Sequence, residues 1–189
     1  MKSCPKCGYR RPLKPFKPPS RQELENGWLQ VEFAMRLAFS YHVWNKRCGQ
    51  CEKESEDCEL MRIAALECTL LNIRAVDEFF RQQTWSSDIR AAQYPGFDSP
   101  GPFLSPGEKR KLDQLVAHLT YNRIHEFDFT WKTAELLQKA YRAFASFLSY
   151  VERAFYEDQL NVKASLKNMK RRFEKWLVEA EVGDSHDTG

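Results

Sequence analysis

Residues 60–80 read LMRIAALECTLLNIRAVDEFF, a run without proline or glycine in which apolar side chains fall on most faces of a helical wheel. The pattern extends in both directions. All nine prolines lie in two clusters, Pro5–Pro19 and Pro95–Pro106. From Glu108 to Val182 there is neither proline nor glycine, and from Ser20 to Tyr94 only Gly27 and Gly49. Long breaker-free stretches with apolar residues at helical spacing predict long helices rather than strands joined by tight turns.

The first helix is expected over Arg21 to about Arg47, opened by the capping box Ser20-x-x-Glu23, which satisfies two orphan backbone donors reciprocally. Leu24, Trp28, Val31, Met35, Ala38 and His42 form its apolar stripe, with Phe33, Leu37, Tyr41 and Trp44 widening it. The second starts after Ser55, where Glu56 and Asp57 suit the positive end of the helix dipole, and runs to about Trp85. Its apolar run predicts the most buried helix of the fold. A loop from Ser86 to Ser105 follows. A second capping box, Ser105-Pro-Gly-Glu108, opens a helix to about Arg123. A fourth helix is expected over Trp131–Asp158 with Leu137, Tyr141, Phe144, Leu148, Val151 and Phe155 inward. The fifth begins near Asn161 with Val162, Leu166, Met169, Phe173 and Trp176 inward and Lys163, Lys167, Lys170 and Arg171 outward. The fold class is therefore all-α, an up-and-down bundle of about five helices over residues 20–182, between a proline-rich arm (1–19) and a polar tail (183–189) expected to fray.

With 189 residues the chain suits one domain, and 42% hydrophobic and 13% aromatic residues suffice for a packed core. A net charge of +3 identifies no partner, but residues 1–22 hold seven Lys or Arg and no acid. No stretch approaches the ~20 apolar residues of a membrane span, and the N-terminus lacks the apolar centre of a secretory signal. A cytoplasmic location is expected. The six cysteines then read as thiols or metal ligands rather than disulfides.

Cys4-Pro-Lys-Cys7-Gly and Cys48-Gly-Gln-Cys51 are two Cys-x-x-Cys pairs, enough for the four thiolates of a structural zinc site. The helix between them separates its ends by ~40 Å. The twelve residues Gly8–Pro19, four of them proline, span ~37 Å in polyproline II geometry. The arm can thus run back along the first helix and bring Cys4 and Cys7 to Cys48 and Cys51. The alternative is a basic N-terminus with an unused cysteine pair. Cys58 is a substitute ligand nearby in sequence, and Cys68, amid apolar residues, reads as core. Four thiolates leave no open position for catalytic zinc, and no strand precedes Cys48 as in a thioredoxin-like redox unit. A di-iron bundle needs Glu-x-x-His pairs, and the chain has none.

Arg74 and Glu78 stand four apart on the most apolar run, with Asp77 alongside and Glu67 two turns earlier. His118 lies on the third helix with Thr120, Asn122 and Arg123 nearby. If these helices are neighbours, Arg74, Glu78, His118 and Arg123 share one polar pocket. Two readings stand side by side: a core ion-pair network with a hydrogen-bonded histidine, or a catalytic site.

LECTLLNIRAVDEFF, SSDIRAAQY and KLDQLVAHLTYNR together resemble a group of uncharacterised bacterial helical proteins, over about residues 66–125. The matching positions are Arg74, Glu78, Phe79, Phe80, Asp88, Ala91, Ala117, His118, Leu119, Thr120 and Arg123; Asp113 stands in place of Asn, and Ser87 in place of Asp. The group is similar in helical layout to HEPN domains, many of which bind RNA or cut it without metal as dimers. The resemblance implies RNA as partner, a homodimer and a place in bacterial defence, with His118 as general acid or base, Arg74 or Arg123 stabilising phosphorane charge, and Glu78 in the same catalytic cluster. The HEPN signature is Arg, then four to six residues, then His, commonly with a polar residue directly after that Arg. Here that spacing occurs only at Arg36-LAFSY-His42, where Leu37 is apolar, and fifteen Arg with four His produce one such match by chance. The competing reading is a non-catalytic helical interaction module stapled by zinc.

The paired cysteines predict one structural zinc per chain. Elemental analysis of protein purified without chelator should find it, and a Cys4→Ser/Cys7→Ser variant should lose it. Zinc near zero in the parent, or full retention in the variant, rules out the shared site.

Overall fold

Both capping boxes form as the sequence spells them. The Ser20 N–H donates to Glu23 Oε2 at 2.6 Å, while the Glu23 N–H donates to Ser20 Oγ at 3.3 Å. The Ser105 N–H donates to Glu108 Oε2 at 2.8 Å, and the Glu108 N–H to Ser105 Oγ at 3.2 Å. The computed structural model describes residues 18–49, 56–81, 89–115 and 131–184. Within them lie five α-helices: α1 (Arg21–Gly49), α2 (Glu56–Phe80), α3 (Pro106–Leu115), α4 (Thr133–Tyr156) and α5 (Leu160–Asp184). A single 3₁₀ turn, Ala91–Gln93, interrupts the loop before α3. No strand occurs among the described residues. None of the described helices is long and apolar enough to cross a membrane. The fold is an all-α bundle in which α1 packs along α2, α5 along α4, and the two pairs against each other, with short α3 on α2.

The apolar stripes built this core. Leu24, Trp28, Val31, Met35, Ala38 and His42 of α1 are all buried, as are Leu137, Tyr141, Phe144, Leu148, Val151 and Phe155 of α4. Phe147 is the aromatic hub. Its ring centroid lies 4.9 Å from Phe79, 4.8 Å from Tyr94 and 5.1 Å from Phe97, tying α2 and the loop to α4. Such edge-to-face pairs add ~0.5–1.5 kcal/mol each beyond area burial. A second aromatic group joins α1 to α5 through Phe39, Phe173 and Trp176.

Three expectations are corrected. The most buried helix is α4, with twelve buried residues against eight in α2. The first half of α2 turns Leu60, Met61 and Ile63 outward, because all-round apolarity says how much a helix can bury, not how many neighbours it has. Phe33 and Trp44 are exposed rather than inward, while Phe39, off the predicted stripe, is fully buried. The α2 helix ends at Phe80, while Trp85, the expected end, lies outside the described residues.

The loop seats itself on α1 through Tyr94, whose buried hydroxyl donates to the Leu24 carbonyl at 2.6 Å. Burial holds that phenol well above its ordinary range. Gly27 permits this close approach: a Cβ there would lie 2.8 Å from Ile89 Cγ2 and 2.9 Å from Tyr94 Oη. Gly27→Ala should therefore destabilise by about 1 kcal/mol, overpacking outweighing the gain in helix propensity. Urea denaturation checks this, and a more stable variant would mean that the loop yields without cost.

Candidate functional site

The C-terminal turns of α2 carry Arg74, Asp77, Glu78 and, just beyond, Arg81. The last turn of α2 meets the first turns of α3 there, so carboxylates and cations from two helices and the loop come together. The Arg74 Nε donates to Asp113 Oδ1 at 2.5 Å. Lys109 Nζ bridges Asp113 Oδ2 at 2.9 Å and Glu78 Oε1 at 2.6 Å. Arg90 completes the chain, donating to the Glu78 carbonyl and lying 3.4 Å from its carboxylate. Beside this ladder, the fully buried Asp77 accepts the Leu104 N–H at 2.8 Å and pairs with Arg81 at 2.6 Å.

These contacts tune the acids. Burial pushes the Glu78 carboxyl up, but the Lys109 hydrogen bond and the charges of Lys109, Arg81 and Arg90 outweigh it and hold the group below its usual value. Asp113 is held low in the same way, burial being outweighed by Lys109 and Arg74. The cluster is thus ionised and paired, yet not sealed: Arg74 and Asp113 keep 32% and 33% of their side-chain exposure. One cavity of about 700 Å³ touches Arg74, Glu78 and Arg90, and another of about 790 Å³ touches Arg81, Lys109 and Asp113.

Of the four residues expected to share a pocket, the structure brings Arg74 and Glu78 to one cluster, though not as a pair. Arg74 is paired with Asp113, and Glu78 with Lys109, Arg90 and Arg81. His118 and Arg123 lie outside the described residues. So do Cys4, Cys7 and Cys51, and the Cys48 side chain. Cys58 and Cys68 are of intermediate exposure, so Cys68 is only partly core. No group of three or more metal-ligating side chains occurs among the described residues. The Arg36 and His42 spacing unites nothing: Arg36 is exposed and His42 is buried, as six residues along a helix places them on different faces.

Sequence reasoning passed over Lys109, Asp113, Arg81 and Arg90 as members of this cluster. One signal was present: Lys109 and Asp113 stand at i,i+4, a spacing that pairs charges on one face.

A second feature lies on α5. Lys167, Arg171 and Lys175 repeat every fourth residue, ~6 Å apart along the axis, and all are exposed. Arg172 borders a groove of about 320 Å³ between α5 and α1 that Arg36, Ser165, Asn168 and Trp176 also line. Glu32 sits in this groove, its carboxyl raised by burial against the opposing charges of Arg36 and Arg172. Lys170, expected on the outer face, turns instead to α4, where it reaches Ser149 and Glu152, both at 3.1 Å. No known protein family, curated protein or solved structure matches the chain.

The pairing sets a mutational order. Arg74→Ala leaves Asp113 with Lys109 and should cost about 1 kcal/mol or less. Asp77→Ala strips the buried Leu104 N–H and Arg81 of their shared acceptor and should cost about 2–4 kcal/mol. Equal losses in chemical denaturation would contradict the assignment of partners.

Proposed function

We propose that this chain is a HEPN-like helical module that binds RNA through its phosphate backbone, and that the cluster of Arg74, Glu78, Lys109 and Asp113 serves mainly to lock α2, α3 and the loop together. One observation carries the binding reading: the exposed series Lys167, Arg171 and Lys175 on α5, with Arg172 and Arg36 at its side. From Lys163 to Lys175 the chain has six basic residues and a single acid, Glu174. Lys175 lies 3.8 Å from Glu179, an exposed pair that holds its charge only weakly, while Lys167 and Arg171 make no ion pair among the described residues. Such a row attracts a polyanion and releases its counterions. Ser165 and Asn168 add neutral donors for phosphate or sugar oxygens, and Trp176 adds a ring in the adjoining groove. The acid-free arm of residues 1–19 extends the basic surface in sequence. The structural role of the cluster is supported by its pairing, since every ionised group in it already holds a partner. Bacterial defence and a homodimer follow from the resemblance, and zinc, if the arm binds it, staples the arm to the bundle.

Fluorescence anisotropy with a labelled single-stranded RNA tests this. Three to four phosphate contacts predict a log–log salt slope of about −2 to −3. Lys167→Glu/Arg171→Glu should weaken binding at least about tenfold and flatten that slope, and deleting residues 1–19 should weaken it further. Unchanged affinity in the α5 variant overturns the assignment of the surface. Cleavage of the same RNA by the intact chain, lost in His118→Ala, would replace a binding role with a catalytic one.

A further inference from the structure

The cavity of about 790 Å³ opens where the end of α2, the loop before α3, the first turns of α3 and the start of α4 converge. Its cations come from separate elements: Arg81 after α2, Lys109 and Arg110 on α3, Lys139 on α4. The neighbouring carboxylates are heavily shared. Asp77 holds both Arg81 and the Leu104 N–H. Asp113 holds Arg74 and Lys109. Glu108 takes Lys139 at 2.6 Å while its other oxygen caps the Ser105 N–H. Glu78 holds Lys109, Arg81 and Arg90. Arg110 is exposed and makes no ion pair with any described residue. Five cations, counting Arg74 and Arg90, therefore share four carboxylates, and with Arg110 outside these pairs the described residues around the cavity carry more positive than negative charge. The remaining wall is apolar, formed by Pro102, Phe103, Leu104 and Pro106.

We infer that this cavity is a binding site for a small phosphate monoester carrying a flat or apolar body, the chemical class of a nucleoside monophosphate. The volume lies within the range of ligand sites, and the combination of an apolar wall with a few convergent polar groups is their usual make-up. A guanidinium from α3 and an ammonium from α4 suit a tetrahedral dianion, Arg110 through its planar fork and Lys139 as a point charge. Phe103 and the two prolines offer the face against which a base lies. The capping box already occupies the start of α3, so recognition rests on side chains rather than on free helix amides. This site is separate from the α5 surface and does not depend on the RNA reading.

Isothermal titration of the full chain with adenosine monophosphate, adenosine and inorganic phosphate tests the inference. Adenosine monophosphate should bind in the micromolar to low millimolar range, inorganic phosphate at least about tenfold more weakly, and adenosine weakest of the three. Arg110→Gln/Lys139→Gln should lower the affinity about tenfold or more while the fold persists, since both side chains are substantially exposed and Glu108 keeps its capping role. Lys167→Glu/Arg171→Glu should leave it unchanged, which separates this site from the RNA surface. Absence of binding at millimolar nucleotide, or equal binding by the Arg110/Lys139 variant, overturns the site; phosphate binding as tightly as the nucleotide overturns the role of the apolar wall.

Discussion

A carboxylate with no exposed surface sits three residues before the end of α2, and the arrangement around it follows from the need to keep it paired. Asp77 cannot remain buried and ionised without partners. It finds two, the Leu104 N–H and the Arg81 guanidinium, and in doing so it draws the loop back against the helix that the loop has just left. Leu104 is thereby buried, and the next residue, Ser105, is positioned to cap α3. The start of α3 is in this way placed beside α2, and the charged side chains of the two helices meet.

The same end of the bundle carries the aromatic hub. Phe79 and Phe80, immediately after Asp77 and Glu78, pack on Phe147, and Tyr94 and Phe97 from the loop close over the same ring. Apolar packing on one face of α2 and ion pairing on the other constrain the loop from both sides. Tyrosine hydroxyls also satisfy backbone carbonyls across this junction: Tyr94 of the loop serves Leu24, and Tyr150 of α4 serves Pro95 at 2.8 Å. Residues 89–105, rich in proline and glycine, are tied to α1, α2 and α4 because their polar atoms find partners there.

Charge is distributed unevenly over this frame. Around α2 and α3 it is concentrated and largely cancelled, with a residue of positive charge facing a cavity. Along α5 it is spread out and only partly cancelled: Lys170 pairs with Glu152 and Lys175 with Glu179, while Lys167 and Arg171 stand exposed with no ion pair among the described residues. Cancelled charge specifies geometry, whereas uncancelled charge attracts partners from solution. That contrast is why the ladder of Arg74, Asp113, Lys109 and Glu78 reads as architecture, while the α5 row and the cavity beside Arg110 are where we propose that anions bind.

Much of the bundle is written locally. Capping needs residues three apart, and a helical stripe needs only periodicity, so Ser20, Ser105 and the buried face of α4 were legible without any tertiary knowledge. The membership of Arg74 and Glu78 in one polar cluster was legible too, because a charge on an apolar run must be compensated. Their partners were not. Arg74 could have reached Glu78 along its own helix, and it pairs with Asp113 because the docking of α3 presents a carboxylate across the interface at shorter range. Lys170 likewise faces α4, and Phe33 and Trp44 face outward, because the direction from which a neighbour approaches is absent from the pattern of a single helix. Sequence by itself determined where helices begin, which faces are apolar and which charges need partners. Only the tertiary structure decided which face each neighbour covers and which ion meets which, since both depend on distances between segments far apart in the chain.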